Sequence, residues 1–315
     1  MSLSFYMSKV LINSKSSKTL KMLRGNKKFL AGVIILTSLI IFSIVGLIWT
    51  PYNPYYNGFG DNMPPSFVHW LGTTSYGSDV FSEVLYGSGP TLYLSFLSGA
   101  GILVLSLLVA LYSGISTGKQ KYIIETVMNA FILMPSLLII ILLGLYFLSK
   151  GSVFGDYGIV IALMLTGWAA SARILRSQVL TLVKRDFILS SKLIGEKRTV
   201  IFSQITRNML SIIASSFFFD VLFSLLALTW VEFYGLGAIN SINWGTMLYW
   251  AIDYNSYAIG NWWWIMSPSI MIGLLALSFS LINFGVDEIA NPKLRFSASA
   301  KPTDKSRTVK GELDQ

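Results

Sequence analysis

The sequence has no cysteine and a single histidine, His69, among its 315 residues. Without thiols the chain forms no disulfide and no cysteine-ligated metal site, and one imidazole excludes a multi-histidine metal site. Charge is also scarce, because Asp, Glu, Lys and Arg make up 12% of the residues, against about 25% in a soluble globular protein. A large soluble core does not account for so little charge, since surface area falls too slowly with chain length. Lipid around most of the surface does account for it.

Apolar residues are abundant instead, at 53% of the chain with a mean hydropathy of +0.62. The first long apolar run, Phe29 to Trp49, holds 21 residues without a charge, enough to span the roughly 30 Å hydrocarbon core of a bilayer. Five further runs lie near Thr91–Ser116, Ile123–Leu148, Gly158–Ser171, Met209–Val231 and Trp262–Phe284. The run Gly158–Ser171, the fourth in the chain, is short, and its helix is expected to continue toward Leu180. The pattern predicts an all-α integral membrane protein with about six transmembrane helices.

The first apolar run is predicted to be a retained transmembrane helix. A signal peptide would have a shorter leader, a shorter apolar core and a small-residue cleavage site, whereas this run ends in Trp49-Thr50-Pro51-Tyr52. The chain then divides into a cytoplasmic N-terminal segment (1–28), the first helix (29–49), an extracytoplasmic loop (50–90), a five-helix core (91–295) containing a long loop (173–208), and a tail (296–315). The Ser- and Lys-rich tail is predicted to be disordered.

The distribution of lysine and arginine predicts the orientation. With the N-terminus inside, the cytoplasmic segments 1–28, 117–122, 172–208 and 285–315 hold 23 of the 24 basic residues, and only Lys150 lies elsewhere. The positive-inside rule therefore places both termini in the cytoplasm of a multi-pass cell-membrane protein. The net charge of +9 is then a topology signal. No nucleic-acid partner is expected, because that requires a basic face on a soluble domain.

The longest cytoplasmic loop, Arg173 to Asn208, mixes apolar and basic residues. Four apolar residues fall on one helical stripe, namely Val179, Val183, Phe187 and Ile194. Gly195 interrupts the pattern, so two short helices joined by a turn are predicted. One interpretation is an amphipathic helix that lies on the inner leaflet. The other is a helix that docks into a groove on a partner protein.

This loop resembles the ATPase-coupling loop of ABC importer permeases, where a Glu-Ala-Ala triplet is followed four residues later by Gly and then by an element with Pro-Asn. The matching stretches are Phe187-Ile188-Leu189-Ser190-Ser191-Lys192-Leu193-Ile194-Gly195 and Ile205-Thr206-Arg207-Asn208. Leu-Ser-Ser replaces the triplet and Arg207 replaces the proline, so the acidic residue is lost while the glycine and the hydrophobic frame remain. The resemblance implies an ATPase-coupling role for Phe187, Ile188, Ser190, Ser191, Gly195, Ile205 and Asn208.

Other motifs resemble the C-type subunit of dipeptide/oligopeptide permeases, over residues 29–295. The segment from His69 to Ser82 is similar to the family's His-x-Leu-Gly-Thr-Asp-x-x-Gly-Arg-Asp-Val-x-Ser. Three more landmarks follow in the family's order: Phe233-Tyr234-Gly235-Leu236-Gly237, Trp244-Gly245 and Asn291-Pro292-Lys293. Pro135 lies where the family's third helix carries a proline and is expected to kink that helix.

The resemblance implies a permease subunit of an ATP-driven importer, with one helix before a five-helix permease core. The implied partners are a second homologous permease, two ATPase subunits and an extracytoplasmic binding protein that delivers peptides or oligosaccharides. The chain has no phosphate-binding loop, since Gly114-Ile115-Ser116-Thr117-Gly118-Lys119-Gln120 has the wrong glycine spacing and ends in Gln. No enzyme activity, metal or cofactor is therefore expected on this chain, and ATP with its magnesium would bind the partner subunits.

Asp220 lies in the middle of the fifth span, where an ionisable side chain is costly and suggests a function. Asp220 either belongs to the substrate path or forms a hydrogen-bonded contact between helices. His69 is expected to have a structural role. An alternative function is a self-sufficient secondary transporter or channel, although the inverted repeats and paired broken helices of such proteins are not visible. A redox anchor subunit is disfavoured, because one histidine without cysteine is poor for haem or iron–sulfur ligation.

Overall fold

The computed structural model describes residues 25–149 and 155–290, and these residues fold into helices without a strand. The helices within these ranges are α1 (Lys27–Ile48), α2 (Val80–Ile115), α3 (Gly118–Leu133), α4 (Ser136–Leu148), α5 (Gly155–Val183), α6 (Asp186–Leu193), α7 (Arg198–Asn208), α8 (Leu210–Phe233), α9 (Trp244–Asp253) and α10 (Trp262–Ala290). Several predicted features lie outside the described residues: most of the N-terminal segment 1–28, Lys150, Asn291-Pro292-Lys293 and the tail 296–315.

Five helices are long and apolar enough to cross a membrane, namely α1, α2, α5, α8 and α10, and the bent pair α3–α4 gives a sixth when it is counted as one span. This confirms the prediction of an all-α membrane protein with about six transmembrane helices. Helix α5 continues to Val183, as expected for the short fourth run. The long loop 173–208 therefore begins within a helix, and its part from Asp186 onward forms the two short helices that were predicted, α6 and α7.

Helix α2 begins at Val80, well before the predicted start at Thr91, so the outer loop ends near Asp79 rather than at residue 90. Asp79 caps the helix by accepting a 2.8 Å hydrogen bond from the Ser82 amide. The hydropathy of this first part is low, because it contains Glu83, two glycines and Pro90. With 36 residues, α2 exceeds the roughly 20 residues that cross a bilayer, so its first turns extend toward the predicted outer surface.

The third span is broken at Pro135, and α3 and α4 meet there at an angle of 83°. Met134, before the proline, has extended backbone angles of φ −71° and ψ 136°. Proline disfavours the helical conformation in the residue that precedes it. The kink predicted at Pro135 is therefore confirmed.

Helix α2 lies between α5 and α8, and small residues allow this close approach. Gly99 faces Val221 of α8 and Gly114 faces Val179 of α5, where a Cβ on either glycine would overlap the opposite side chain. The Ser106 hydroxyl lies 2.8 Å from the carbonyl oxygen of Trp168 in α5. These contacts make the α2–α5–α8 group the centre of the bundle.

Helix α1 packs against α2 and α10. Gly32 lies against the backbone of Ser278 in α10. At the start of the helix, Asn26 accepts hydrogen bonds from the first amides and donates a 2.8 Å bond to Oε2 of Glu288. The remaining surface of α1 exposes branched aliphatic residues suited to contact with lipid, among them Ile34, Ile41 and Ile48.

Candidate functional site

Helices α6 and α7 form a pair anchored to the end of the bundle that is predicted to be cytoplasmic. Ile188 of α6 and Ile205 of α7 are fully buried, in one cluster with Val179 of α5 and Leu111 of α2. Met209, which joins α7 to α8, lies in the same cluster. The pair is therefore held by direct packing on transmembrane helices as well as by the chain connections at its two ends.

A turn at Gly195 joins α6 to α7, and its backbone favours glycine. Gly195 has a φ of +78°, a left-handed conformation that costs residues with a Cβ roughly 1–2 kcal/mol. The Glu196 amide donates a 3.0 Å hydrogen bond to the Ser191 carbonyl oxygen, as in a Schellman motif. No atom lies within 4 Å of the place that a Cβ on Gly195 would take. Backbone conformation, and not crowding, therefore selects the glycine.

Gln204 of α7 links both helices and the turn. The Ser191 hydroxyl donates to Gln204 Oε1 at 3.1 Å, and Gln204 Nε2 donates to Glu196 Oε2 at 3.0 Å. Asn208 Nδ2 donates to the backbone oxygen of Gln204 at 2.8 Å and so closes the last turn of α7. The α6–α7 pair is thus one hydrogen-bonded unit.

The outward surface of α6 exposes apolar side chains beside the polar Asp186, Ser190 and Lys192. Leu193 and Ile194 are 88% and 76% exposed, and Phe187 and Leu189 are exposed as well; these four residues are called the α6 face below. Exposed basic residues flank it in the sequence: Lys184, Arg185, Lys192, Lys197 and Arg198. An exposed apolar surface with a polar rim marks a contact with protein or membrane.

The structure divides the predicted coupling residues into two groups. The buried group, which holds the pair together, is Ile188, Ser191 and Ile205; the exposed group is Phe187, Ser190, Gly195 and Asn208. The single stripe predicted through Val179 and Phe187 is wrong, because the helix breaks after Val183. Val179 is consequently buried while Phe187 is exposed.

Asp220 of α8 is 2% exposed and accepts a hydrogen bond from the Ser171 hydroxyl of α5. Its other oxygen, Oδ2, has no hydrogen-bond partner among the described residues. Met134 and Ser136, at the break in the third span, line a cavity of about 130 Å³ together with Asp220. One of the two roles expected for Asp220, a hydrogen-bonded contact between helices, is present in the structure.

Ser171 also lines a larger cavity of about 420 Å³, toward the predicted cytoplasmic end of the bundle. Its polar lining includes Gln178 of α5, Ser215 of α8, and Asn283 and Asp287 of α10. The Ser215 hydroxyl bonds with Asn283 and lies 2.6 Å from Asp287 Oδ1. Polar groups inside a membrane bundle are costly unless they face one another, water or a pathway. This cavity is therefore a candidate segment of a substrate path.

Helix α9, at the opposite end of the bundle, is positioned by a buried carboxyl group that the sequence did not single out. Glu232 of α8 has no exposed surface and accepts a 2.9 Å hydrogen bond from Asn243 Nδ2. Asn243 caps α9, and Thr246 completes the capping box. Trp244 is fully buried and donates from Nε1 to the Val84 carbonyl oxygen of α2 at 3.0 Å. The Trp-Gly landmark of the sequence therefore marks the docking of α9 onto α2.

His69 and Asp79 secure the outer loop. His69 Nδ1 lies 2.8 Å from Asp79 Oδ1, and the rings of Tyr52 and Phe59 lie 5.1 Å and 4.8 Å from the imidazole centroid. This arrangement agrees with the structural role expected for His69. Within residues 25–149 and 155–290, no three His, Asp or Glu side chains are grouped to hold a metal ion.

Two family models match the sequence. The model described as binding-protein-dependent transport system inner membrane component matches residues 102–296. The model described as the N-terminal TM domain of oligopeptide transport permease C matches residues 15–65. Together the two matches include the N-terminal helix and most of the predicted permease core.

Similar full-length proteins carry permease names. The dipeptide transport system permease protein DppC of Bacillus subtilis (strain 168) is 28% identical over 276 residues, which cover 87% of this chain and 84% of that protein. The oligopeptide transport system permease protein OppC of the same strain is 28% identical over 275 residues, covering 86% and 88%. The probable D,D-dipeptide transport system permease protein DdpC of Escherichia coli (strain K12) is 25% identical over 282 residues, covering 88% and 91%.

Proposed function

Since the chain belongs to the family of binding-protein-dependent transport system inner membrane components, we propose that it forms half of an ATP-driven import pathway. It is an ABC importer permease of the dipeptide and oligopeptide type, similar to the C-type subunits. A second homologous permease would complete the pathway. Two ATPase subunits would hydrolyse ATP with magnesium, and an extracytoplasmic binding protein would deliver the substrate.

The α6 face is the single observation that carries this proposal. Its apolar side chains are exposed on the side predicted to be cytoplasmic, where burial in a partner's groove would stabilise them by about 25 cal/mol for each Å² removed from water. Beneath them, Ile188 and Ile205 pack on the transmembrane helices. A partner that binds the α6 face can therefore move the transmembrane helices through the packing of Ile188 and Ile205.

The contact with the ATPase would rest on apolar burial rather than on the acidic residue of the family pattern. Leu189 replaces the glutamate of the triplet and belongs to the α6 face. The flanking basic residues would favour acidic groups at the rim of the ATPase groove, and exposed ion pairs of this kind contribute about 0.2–1 kcal/mol each. Salt would consequently weaken the complex only slightly.

Peptides are the proposed substrates, by extension from relatives that are named for dipeptide and oligopeptide transport. The polar cavity between α5, α8 and α10 suits such a substrate, because Gln178 and Asn283 offer amide hydrogen bonds like those of a peptide backbone. Oligosaccharides are the competing class, since their hydroxyl groups bond to the same amides.

Uptake into proteoliposomes tests the proposal. The chain is reconstituted with its co-purifying permease, ATPase and binding-protein subunits, and labelled dialanine and maltotriose are supplied outside with ATP inside. The expected result is uptake of dialanine that requires ATP and the binding protein. Uptake of maltotriose alone would move the substrate to the oligosaccharide class. Uptake by this chain without ATP, driven by an ion gradient, would overturn the proposal in favour of a secondary transporter.

A further inference from the structure

A cavity of about 390 Å³ opens between the outer loop and α9, at the end of the bundle predicted to be extracytoplasmic. Its rim consists of exposed residues, among them Tyr55, Asn240 and Tyr254. Its base includes two buried residues, Glu83 at the start of α2 and Thr246 of α9. The cavity therefore extends from exposed residues to a buried carboxyl group.

The Glu83 carboxyl group lacks a cationic partner. It is 2% exposed, and its Oε1 accepts a 2.9 Å hydrogen bond from the Tyr76 hydroxyl. Its Oε2 has no hydrogen-bond partner, and no basic side chain forms an ion pair with it within the part of the chain described. The Ser78 hydroxyl lies close enough to favour the charged form of Glu83, but its own hydrogen bond goes to Asn57 Oδ1 at 2.6 Å. A buried carboxylate costs several kcal/mol unless a cation or further donors compensate it.

Aromatic rings form part of the cavity wall. The ring centroids of Tyr76 and Tyr254 lie 5.6 Å apart, and those of Trp250 and Tyr254 lie 6.1 Å apart. Burial, with the neighbouring charge of Glu83, raises the pKa of Tyr76 above its usual value, so its hydroxyl remains a donor. Aromatic faces attract ammonium groups within about 6 Å. The walls and the base of the cavity thus favour the same kind of ligand.

We propose that this cavity binds the primary ammonium group of an arriving peptide, with Oε2 of Glu83 as its counter-ion. A primary ammonium carries three donors and one charge, which match an unpartnered carboxylate oxygen beside aromatic faces. A divalent metal ion fits poorly, since it requires several oxygen ligands and Glu83 is the one carboxylate among the described residues that line the cavity. The choice of a peptide as the source of the ammonium group rests on the proposed function.

Binding without the binding protein tests this site, because the binding protein recognises the substrate by itself. The transmembrane complex is placed in nanodiscs, and saturation-transfer NMR is recorded with dialanine, N-acetyl-dialanine and propylamine. Dialanine and propylamine are expected to bind. N-acetyl-dialanine is expected to bind about tenfold more weakly, because it loses one hydrogen bond to a charged group. Equal binding of the acetylated peptide would overturn the proposal.

Substitutions in the cavity test whether the ligands that give the NMR signal bind there. Glu83→Gln keeps the shape and the acceptor for Tyr76 but removes the charge, and it is expected to weaken propylamine binding about tenfold. Asp61→Asn, at an exposed carboxyl of the outer loop that does not line the cavity, is the control and should bind as the native chain does. Tyr254→Leu at the exposed rim removes one ring and should weaken binding even if Glu83→Gln fails to fold. Unchanged binding in both cavity variants would refute the site.

The propylamine measurement separates this site from the proposed function. If propylamine binds through Glu83 while dialanine is not transported, the ammonium site stands and the peptide import is refuted. If dialanine is transported and propylamine does not bind, the import stands and the site is refuted.

Discussion

The Ser191 hydroxyl donates a 3.1 Å hydrogen bond to Oε1 of Gln204, and this contact ties α6 to α7. Gln204 also donates to Glu196 beyond the turn. The two short helices and their turn therefore form a closed unit above the buried Ile188 and Ile205. We expect such a unit to move as one body, so that a force applied to the α6 face would reach the transmembrane helices.

Substitution of Gly195 tests the turn within this unit. Gly195→Ala forces a residue with a Cβ into φ +78° and is expected to destabilise the turn by roughly 1–2 kcal/mol. Substrate-stimulated ATP hydrolysis by the reconstituted complex should fall, while membrane insertion remains normal. Gly195→Asn is the control, because asparagine adopts this conformation more readily and should retain more activity. Equal, undiminished stimulation in both variants would refute the role of the turn.

A pair of substitutions separates anchoring from docking. Ile205→Ala removes a fully buried side chain and should cost about 2–5 kcal/mol of stability, seen as a lower unfolding temperature in detergent. Leu193→Ser alters an exposed side chain and should change stability by less than about 0.5 kcal/mol, yet reduce stimulated ATP hydrolysis. An Ile205→Ala protein of native stability, or a fully stimulated Leu193→Ser complex, would contradict the assignment.

Asp220 offers a test between its two roles. Asp220→Asn retains an oxygen that accepts from Ser171, so a structural contact survives, and transport is expected to stay within about threefold of the native rate. Asp220→Leu leaves the buried Ser171 hydroxyl without this acceptor and should cost about 1–3 kcal/mol of stability. Peptide uptake and thermal unfolding measure the two effects. A loss of uptake in Asp220→Asn at native stability would instead assign the charge to the substrate path.

Asn243 is expected to be important for stability at the outer end. Asn243→Ala removes the cap of α9 and the donor to the buried Glu232, which together should cost about 2–3 kcal/mol. Thermal unfolding in detergent measures the loss. Asn240→Ala, at an exposed position of the same loop, is the matched control and should change stability by less than about 0.5 kcal/mol. Equal unfolding temperatures for the two variants would show that the cap contributes little.

Much of the fold could be predicted because a long run of apolar residues is typical of a transmembrane helix. The start of α2 was missed because Glu83 and Pro90 interrupt that signal. Helix α9 was missed because it is short and rich in aromatic residues, although the spacing of Asn243 and Thr246 is a readable capping pattern.

The candidate sites were predicted less completely, for a geometric reason. Family resemblance identified Phe187 and Ile188 together, but their opposite exposures depend on the break between α5 and α6. The outer cavity joins Glu83 to residues of α9 that are far away in the sequence. Such a juxtaposition depends on tertiary packing, which neither hydropathy nor a local motif describes.

Cross-linking from the α6 face tests the central claim most directly. The chain has no cysteine, so a Leu193→Cys variant carries one thiol, which benzophenone-maleimide labels in membranes that contain the assembled complex. Leu138→Cys, at an exposed position of α4, is the control within the predicted membrane span. Illumination is expected to join Leu193→Cys, and not Leu138→Cys, to an ATPase subunit identified by mass spectrometry. Adducts of Leu193→Cys with lipid alone, or an equal ATPase yield from both positions, would contradict the account.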